Sequence, residues 1–390
     1  MSQELGYVLI TPYSLMKSRT GGIISRLFAR TQLELVGARM FAPTKKMVDE
    51  FGASIREVIT DKKEKVKVRE LFTRYLYDNC IPKKGGGSRP RLMCLLFKGE
   101  KAVQRLKEVV GSIRGTIAGE TIRETYGDYI KDFEGAVKYF EPAVFIGVSS
   151  SETKKQLKIL ARYSDSDGGL LEDVVDYGSK KNIEKTLVLI KPDNFRFPSG
   201  RAGNIIDSFS RTGLFIIGAK VLQMSVSQAE EFYDPVKEIL REKLKPKLKN
   251  DIKQALEKTL FLSMPESLLD HMTEELKELN MEKNFHEIIQ FMTGYDLSLP
   301  LSKKERSAPG KVKCLALVYQ GPDAIRKIRE QLGSTDPSKA APATVRKEFG
   351  QNVMENTAHA SDSYENALRE MKIVKIDDNE FKQVIKEHVI

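Results

Sequence analysis

Eight residues between positions 22 and 38 recur further along the chain at a constant spacing of 181. Gly22, Ile24, Phe28, Arg30, Thr31, Leu33, Gly37 and Ala38 reappear as Gly203, Ile205, Phe209, Arg211, Thr212, Leu214, Gly218 and Ala219. A fixed-offset match at this many positions marks an internal duplication, and it restricts the chain to folds built from two similar halves. Neighbouring segments extend the match. The apolar run Tyr7-Val8-Leu9-Ile10 before Thr11-Pro12 is mirrored by Thr186-Leu187-Val188-Leu189-Ile190 before Lys191-Pro192. Arg91 to Phe97 pairs with Val312 to Tyr319, and Ile122-Arg123 and Tyr126-Gly127 pair with Val345-Arg346 and Phe349-Gly350.

Each apolar run ended by proline reads as a buried strand. Each glycine-led segment that follows, with Ile24, Leu27 and Phe28 at helical spacing in the first copy, reads as an amphipathic helix. Each half thus runs strand, helix, strand, helical stretch, strand, helix, strand. This predicts an α+β fold of two tandem ferredoxin-like βαββαβ domains with extra residues between the second and third strands. The expected boundaries are 1-165 for the first domain, 166-184 for a linker opening in Asp165-Ser166-Asp167-Gly168-Gly169, and 185-390 for the second, with inserts near 234-281 and 295-311.

The extra residues differ between the halves. In the first, 41–90 ends in Pro82-Lys83-Lys84-Gly85-Gly86-Gly87-Ser88, which lacks the Gly-Lys-Ser/Thr ending of a phosphate loop and reads as a connector. In the second, Leu240, Leu244, Leu248, Ile252, Leu256 and Leu260 recur every four residues with lysines between them, an amphipathic helix interrupted near Pro246. Its lysines face water or form a docking surface. Asp296 to Pro309 reads as a loop.

The formal charge of +10 favours anionic ligands without choosing among nucleotides, nucleic acid and anionic lipid. Cys80, Cys94 and Cys314 have no metal-type spacing and suit a reducing compartment. The first ten residues are too short and polar for a signal peptide, and no run approaches the roughly 18 apolar residues of a membrane span. The expectation is a cytoplasmic protein.

All four histidines, His271, His286, His359 and His388, lie in the second half. His359 stands out, with Arg346 and Asn356 before it and Ser361, Asp362, Ser363 and Glu370 after it. A histidine that accepts a phosphoryl group must be neutral, with one ring nitrogen free and the other fixed by a hydrogen bond. Glu370 or Ser361 can fix the ring, and Lys191, Arg329 and Arg346 can meet the phosphoryl charge. By residue type alone, His359 can equally be an incidental core or surface histidine.

Several motifs resemble nucleoside diphosphate kinases over about 184–376. They are Leu189-Ile190-Lys191-Pro192-Asp193, the helix Gly203 to Arg211, Leu332-Gly333-Ser334-Thr335-Asp336-Pro337, Thr344-Val345-Arg346, and Asn356-Thr357-Ala358-His359-Ala360-Ser361-Asp362-Ser363. The resemblance implies a ping-pong phosphotransferase in which His359 is phosphorylated and Ser361 and Glu370 hold its ring. Lys191 and Tyr233 would meet the γ-phosphate, and Arg329, Thr335 and Arg346 the β-phosphate side. Asn356 would bind the ribose and Val353 would press on the base. Mg²⁺ would ride on the nucleotide. Ala360 stands where the motif has glycine, and the base-stacking phenylalanine falls near Asn284, beside Phe285.

The first half resembles the same domain stripped of its chemistry. Thr11 stands for Lys191, Tyr13 for Asp193, and Ile146 falls roughly at the histidine position. The resemblance further implies nucleoside di- and triphosphates as partners, and a pseudo-dimer between the halves or a homo-oligomer. The alternative reading is a catalytically weak or inactive, nucleotide-responsive scaffold protein. The basic inserts leave a nucleic-acid partner open.

Overall fold

A computed structural model describes residues 3–57, 63–83, 85, 87–112, 119–134, 136–178 and 182–389. The first half contains β1 (Glu4–Ile10), β2 (Glu34–Phe41) and β3 (Leu92–Gly99), a separate ribbon of β4 (Asp128–Lys131) and β5 (Val137–Glu141), and the short β6 (Val144–Phe145). The second contains β7 (Ile183–Ile190), β8 (Phe215–Leu222), β9 (Cys314–Pro322) and β10 (Ala358–Ala360). The strand orders are β2-β3-β1-β6 and β8-β9-β7-β10. In both sheets the first strand lies in the centre and pairs antiparallel with the third and the last. Both halves therefore have the ferredoxin-like fold, as the duplication requires.

The chain forms two compact units. One holds both sheets, residues 1–222 and 315–390, and the other is the insert 223–314. Within the first unit, helix Thr20–Thr31 buries Ile23, Ile24, Leu27 and Phe28, and helix Arg201–Ser210 buries Ile205, Ile206 and Phe209. Phe28 packs edge-on against Phe97 at 6.0 Å, and Phe209 against Tyr319 at 5.9 Å, so the repeat extends to side-chain packing. The two helices cross where both are glycine. A Cβ on Gly203 would sit 2.2 Å from the Ser25 nitrogen and 2.4 Å from the Gly21 oxygen, and one on Gly21 would meet Asp207 and Gly203 equally closely. Only glycine permits this approach.

The stretch after Asp165, linker-like in composition, is bonded to both halves. The Asp167 carboxylate accepts from the Thr44 amide at 2.7 Å and its hydroxyl at 2.8 Å, Gly169 N–H donates to the Met40 carbonyl, and Leu171 N–H to that of Ile217. The final helix, Glu380–Val389, joins the core of the first half. Phe381 and Ile385 lie among Leu5, Tyr7, Leu157 and Leu160, and the Phe381 ring meets Phe41 at 5.7 Å.

The first-half insert holds helices Lys45–Glu57 and Lys63–Asn79. Of the glycine run after them, Lys84 and Gly86 lie outside the described residues.

In the other unit, Ser225 and Gln228 form a capping box for helix Val226–Tyr233. The leucine-rich stretch divides into Val236–Lys243 and Lys245–Leu260, with Pro246 in the first turn of the latter, and Glu266–Thr293 packs alongside. Two of the lysines are ion-paired. Lys245 pairs with Glu242 and Glu274, Lys249 with Glu266 and Asp270, and Arg241 with Glu278. The acidic residues of the long helix thus meet the charge of Lys245 and Lys249, while Lys243 and Lys247 are exposed. The 296–309 stretch, expected as a loop, includes a short helix, Lys303–Ser307, nucleated by a Ser302–Glu305 capping box. His388, His271 and His286 lie on helices.

Candidate active site

His359 occupies β10, opposite Leu189 of the central strand. Two residues earlier Thr357 takes φ +73°, left-handed backbone that a β-branched residue adopts only when its surroundings impose it. They do so here. The Thr357 carbonyl accepts from the Lys191 amide at 2.9 Å and the Asn194 side-chain amide at 2.7 Å. Arg201 reaches Asp193 at 3.1 Å and also donates to the Phe349 carbonyl. Asn194 and Arg201 were not singled out from the sequence. Burial pushes the Asp193 carboxyl up from its ordinary value, and Arg201 and Lys191 draw it back.

The His359 ring is partly exposed. Its Nε2 lies 2.9 Å from Glu370 Oε2, and the Ser361 hydroxyl donates to the same oxygen at 2.6 Å. Glu370 comes from helix Tyr364–Ile373, whose N-cap, Ser363, accepts from the Asn366 amide. The carboxylate is buried and holds Nε2–H, so the lone pair is left on Nδ1.

Other expected residues gather around this group. Lys191 Nζ donates to Asn356 Oδ1 at 2.6 Å, and the Asn356 amide donates to the carbonyls of Val353 (2.8 Å) and Thr335 (3.1 Å). Arg346 donates to the carbonyls of Gly333 and Ala358 at 3.0 and 3.1 Å. One network thus links Lys191, Arg346 and Asn356 to the backbone of Thr335, Val353 and the histidine strand. Arg329, in the last turn of helix Ala324–Leu332, and the side chains of Thr335 and Val353 are exposed. Tyr233 and Phe285 belong to the other compact unit. Tyr233 is buried against Phe232, and Phe285 is buried with the Lys237 ammonium 4.5 Å from its ring centre.

The first half supplies an internal comparison at atomic detail. Arg123 donates to the carbonyls of Gly111 and Val144, as Arg346 does to those of Gly333 and Ala358. Thr11 N–H donates to the Ala143 carbonyl as Lys191 does to that of Thr357, and Ala143 too has positive φ, +60°. The register sets Phe145 opposite Leu9, where the second half sets His359 opposite Leu189. The residue at the His359 position is therefore Phe145 and not Ile146, because the loop before this strand differs in length between the halves. Matching the N-caps Ser149 and Ser363 places Gly147 at Ser361 and Gln156 at Glu370.

That copy of the site is filled. Phe72 and Tyr75 from the first-half insert pack on Phe145 at 5.4 and 6.0 Å and on Phe140 at 5.3 and 6.2 Å, and Arg123 stacks on Phe72 at 5.1 Å. Glu141 accepts from Thr11 at 2.7 Å.

The nucleoside diphosphate kinase family model matches residues 184–254 and 244–379. A nucleoside diphosphate kinase of Bdellovibrio bacteriovorus is 31% identical over 192 residues, 49% of this chain and 92% of that relative. One from Staphylothermus marinus is 30% identical over 197 residues, 50% of this chain and 96% of that relative. Among solved structures, an NDP kinase from Pyrobaculum aerophilum aligns over 49% of this chain and 94% of its own, with 23% identity and a TM-score of 0.34. The matched span contains the His359 motif and the network around it, and the chain belongs to the nucleoside diphosphate kinase family.

Proposed function

We propose that the protein is a nucleoside diphosphate kinase that works by a ping-pong mechanism through phospho-His359. The observation that carries this reading is the hydrogen bonding of His359 Nε2 and the Ser361 hydroxyl to one buried oxygen of Glu370. In the first half-reaction the Nδ1 lone pair attacks the γ-phosphorus of a nucleoside triphosphate. The bond from that phosphorus to the β–γ bridging oxygen breaks, and the nucleoside diphosphate departs with the electron pair. The ring keeps its Nε2 proton, and Glu370 balances the positive charge that grows on the imidazole. In the second half-reaction a terminal oxygen of another diphosphate attacks phosphorus and the N–P bond breaks.

Lys191 and Arg346 would stabilise the transferring phosphoryl group, with Arg329 and Thr335 on the β-phosphate side, Asn356 on the ribose and Val353 on the base. The donors near His359 are an ammonium, a guanidinium and an amide, which suit phosphate oxygens. A bare Mg²⁺ takes oxygen ligands. Magnesium therefore belongs to the substrate, carried on its phosphates. The first domain, 1-165, acts as a fixed structural partner for the second, 185-390, so that the halves stand in for two subunits. No helix among the described residues is long and apolar enough to cross a membrane, and Cys80, Cys94 and Cys314, none of them in a disulfide, suit the cytoplasm.

The test is incubation with γ-labelled ATP. The expected product is an acid-labile, alkali-stable phosphoprotein that passes its label to an added nucleoside diphosphate. His359→Ala takes up no label. Equal labelling of wild type and His359→Ala would end this reading.

A further inference from the structure

The carbonyl of Thr357, two residues before His359, is held from two sides. The Lys191 amide donates to it at 2.9 Å and the Asn194 side-chain amide at 2.7 Å. The same Asn194 nitrogen donates to the Lys191 carbonyl at 3.0 Å and lies 3.3 Å from Asp193 Oδ1. Asn194 is buried in the single helical turn Pro192–Phe195 that follows β7. Its side chain therefore bridges the backbone of Lys191 to the backbone that leads into His359.

The first half carries the same device in reduced form. Ala143 also has positive φ and lies two residues before Phe145, which matches His359. Its carbonyl accepts from the Thr11 amide at 3.1 Å and from the Ser14 hydroxyl at 3.1 Å. Ser14 stands three residues after Thr11, as Asn194 stands three after Lys191. The copies differ in what the side-chain donor can reach. A hydroxyl has one proton and serves one carbonyl, whereas an amide has two and can hold the turn and Lys191 together. The amide stands in the half that has a lysine and a histidine to align.

His359 depends on this turn more than a central residue would. β10 is three residues long and lies at the edge of its sheet, paired with β7. Thr357 is β-branched, so its φ of +73° relaxes unless its carbonyl is held. Relaxation would turn the peptide that enters β10 and move the His359 ring relative to Lys191. A nucleophile must keep a near-attack position, and a displacement of about 1 Å costs about a hundredfold in rate.

We propose that Asn194 is a positioning residue that sets His359 against Lys191 for phosphoryl transfer. Its effect on rate rests on the kinase reading above, and its effect on the setting of the ring does not.

Three variants of the full chain test this. Asn194→Ala should slow single-turnover labelling by saturating γ-labelled ATP about tenfold or more, with the half-saturating concentration changed by less than about threefold. Asn194→Ser, which borrows the first half's residue, keeps a donor for Thr357 and should be only about threefold slower than wild type. Ser14→Ala removes the matching bond from the half without a histidine. It should lower the melting temperature about as much as Asn194→Ala and leave the labelling rate unchanged. Equal slowing by Ser14→Ala, or Asn194→Ser as slow as Asn194→Ala, overturns the proposal and leaves Asn194 a purely structural residue. Should Asn194→Ala melt below the assay temperature, Asn194→Ser at the full wild-type rate overturns it. A second readout needs no activity. The proton–carbon NMR signals of the His359 ring, identified by their loss in His359→Ala, should shift in Asn194→Ala and stay in place in Ser14→Ala. If wild type takes up no label but the signals shift in this way, the kinase reading fails and the positioning stands. Unchanged ring signals in Asn194→Ala overturn the positioning, and the labelling of wild type then decides the kinase reading by itself.

Discussion

Replacing Glu370 by glutamine isolates the role of one charge. Glu370 Oε2 accepts from His359 Nε2 at 2.9 Å and from Ser361 at 2.6 Å. A glutamine carbonyl has the same reach and can accept both, so the substitution keeps the geometry and removes the charge. A hydrogen bond to a charged group nets about 1.5–3 kcal/mol, against about 0.5–1.5 for a neutral pair. The difference, about 1–1.5 kcal/mol, acts where the ring becomes cationic, as Nδ1 bonds to phosphorus. At about 1.36 kcal/mol per decade this is a drop of about 5- to 13-fold in the phosphorylation rate. Glu370→Ala strands two buried donors and should cost more, at least about 2 kcal/mol or about 30-fold. The Glu370 side chain is 5% exposed and lies behind the ring, so KM for the nucleotide should hardly move. Single-turnover labelling with γ-labelled ATP separates the step from binding. A Glu370→Gln rate within twofold of wild type, or a raised KM with unchanged rate, would refute the reasoning.

Three further perturbations probe the rest of the molecule. Gly203→Ala places a Cβ 2.2 Å from the Ser25 nitrogen and must push the crossing helices apart; we expect a loss of about 2 kcal/mol or more in urea unfolding, and a change under about 0.5 would disprove the close crossing. Glu141→Gln addresses pH: burial raises the folded carboxyl above its ordinary value, so the folded state holds its proton longer than the unfolded chain. Wild-type stability therefore falls relative to Glu141→Gln as pH rises from the ordinary glutamate value through the raised one, and a pH-independent difference between pH 4 and 7 would contradict this. Phe145→His puts an imidazole in the first half but is expected to gain no phosphoryl label, because Thr11, Gly147 and Gln156 stand where the proposed mechanism uses Lys191, Ser361 and Glu370. Label that persists in Phe145→His combined with His359→Ala would show otherwise.

The fold was legible because duplication repeats the signal. Apolar runs ended by Pro12 and Pro192 and glycine-led helices recur, and the strand orders follow from them. The cluster at His359 was legible because its members are close in sequence or sit in short motifs. What was hidden depends on contacts between distant segments. Nothing local in Glu380–Val389 says that its apolar face belongs to the first sheet. Lys245 and Lys249 look like part of a basic surface until the acidic helix is packed beside them. Phe145 cannot be told from Ile146 without the strand register, and the support of Thr357 by Asn194 needs the backbone turn to be seen.

The helix crossing at Gly21 and Gly203 has a consequence for how the two copies could diverge. In an assembly of identical chains every substitution appears twice, so filling one copy of the site with aromatic side chains would fill the other. Joined in one chain, the halves change independently. Phe72, Tyr75 and Phe145 could turn one site into hydrophobic core while His359 kept its surroundings. The pairing is also unimolecular, so diluting the protein does not separate the halves, as it would separate the subunits of a weak dimer. The half without a histidine thus remains beside its partner at any concentration.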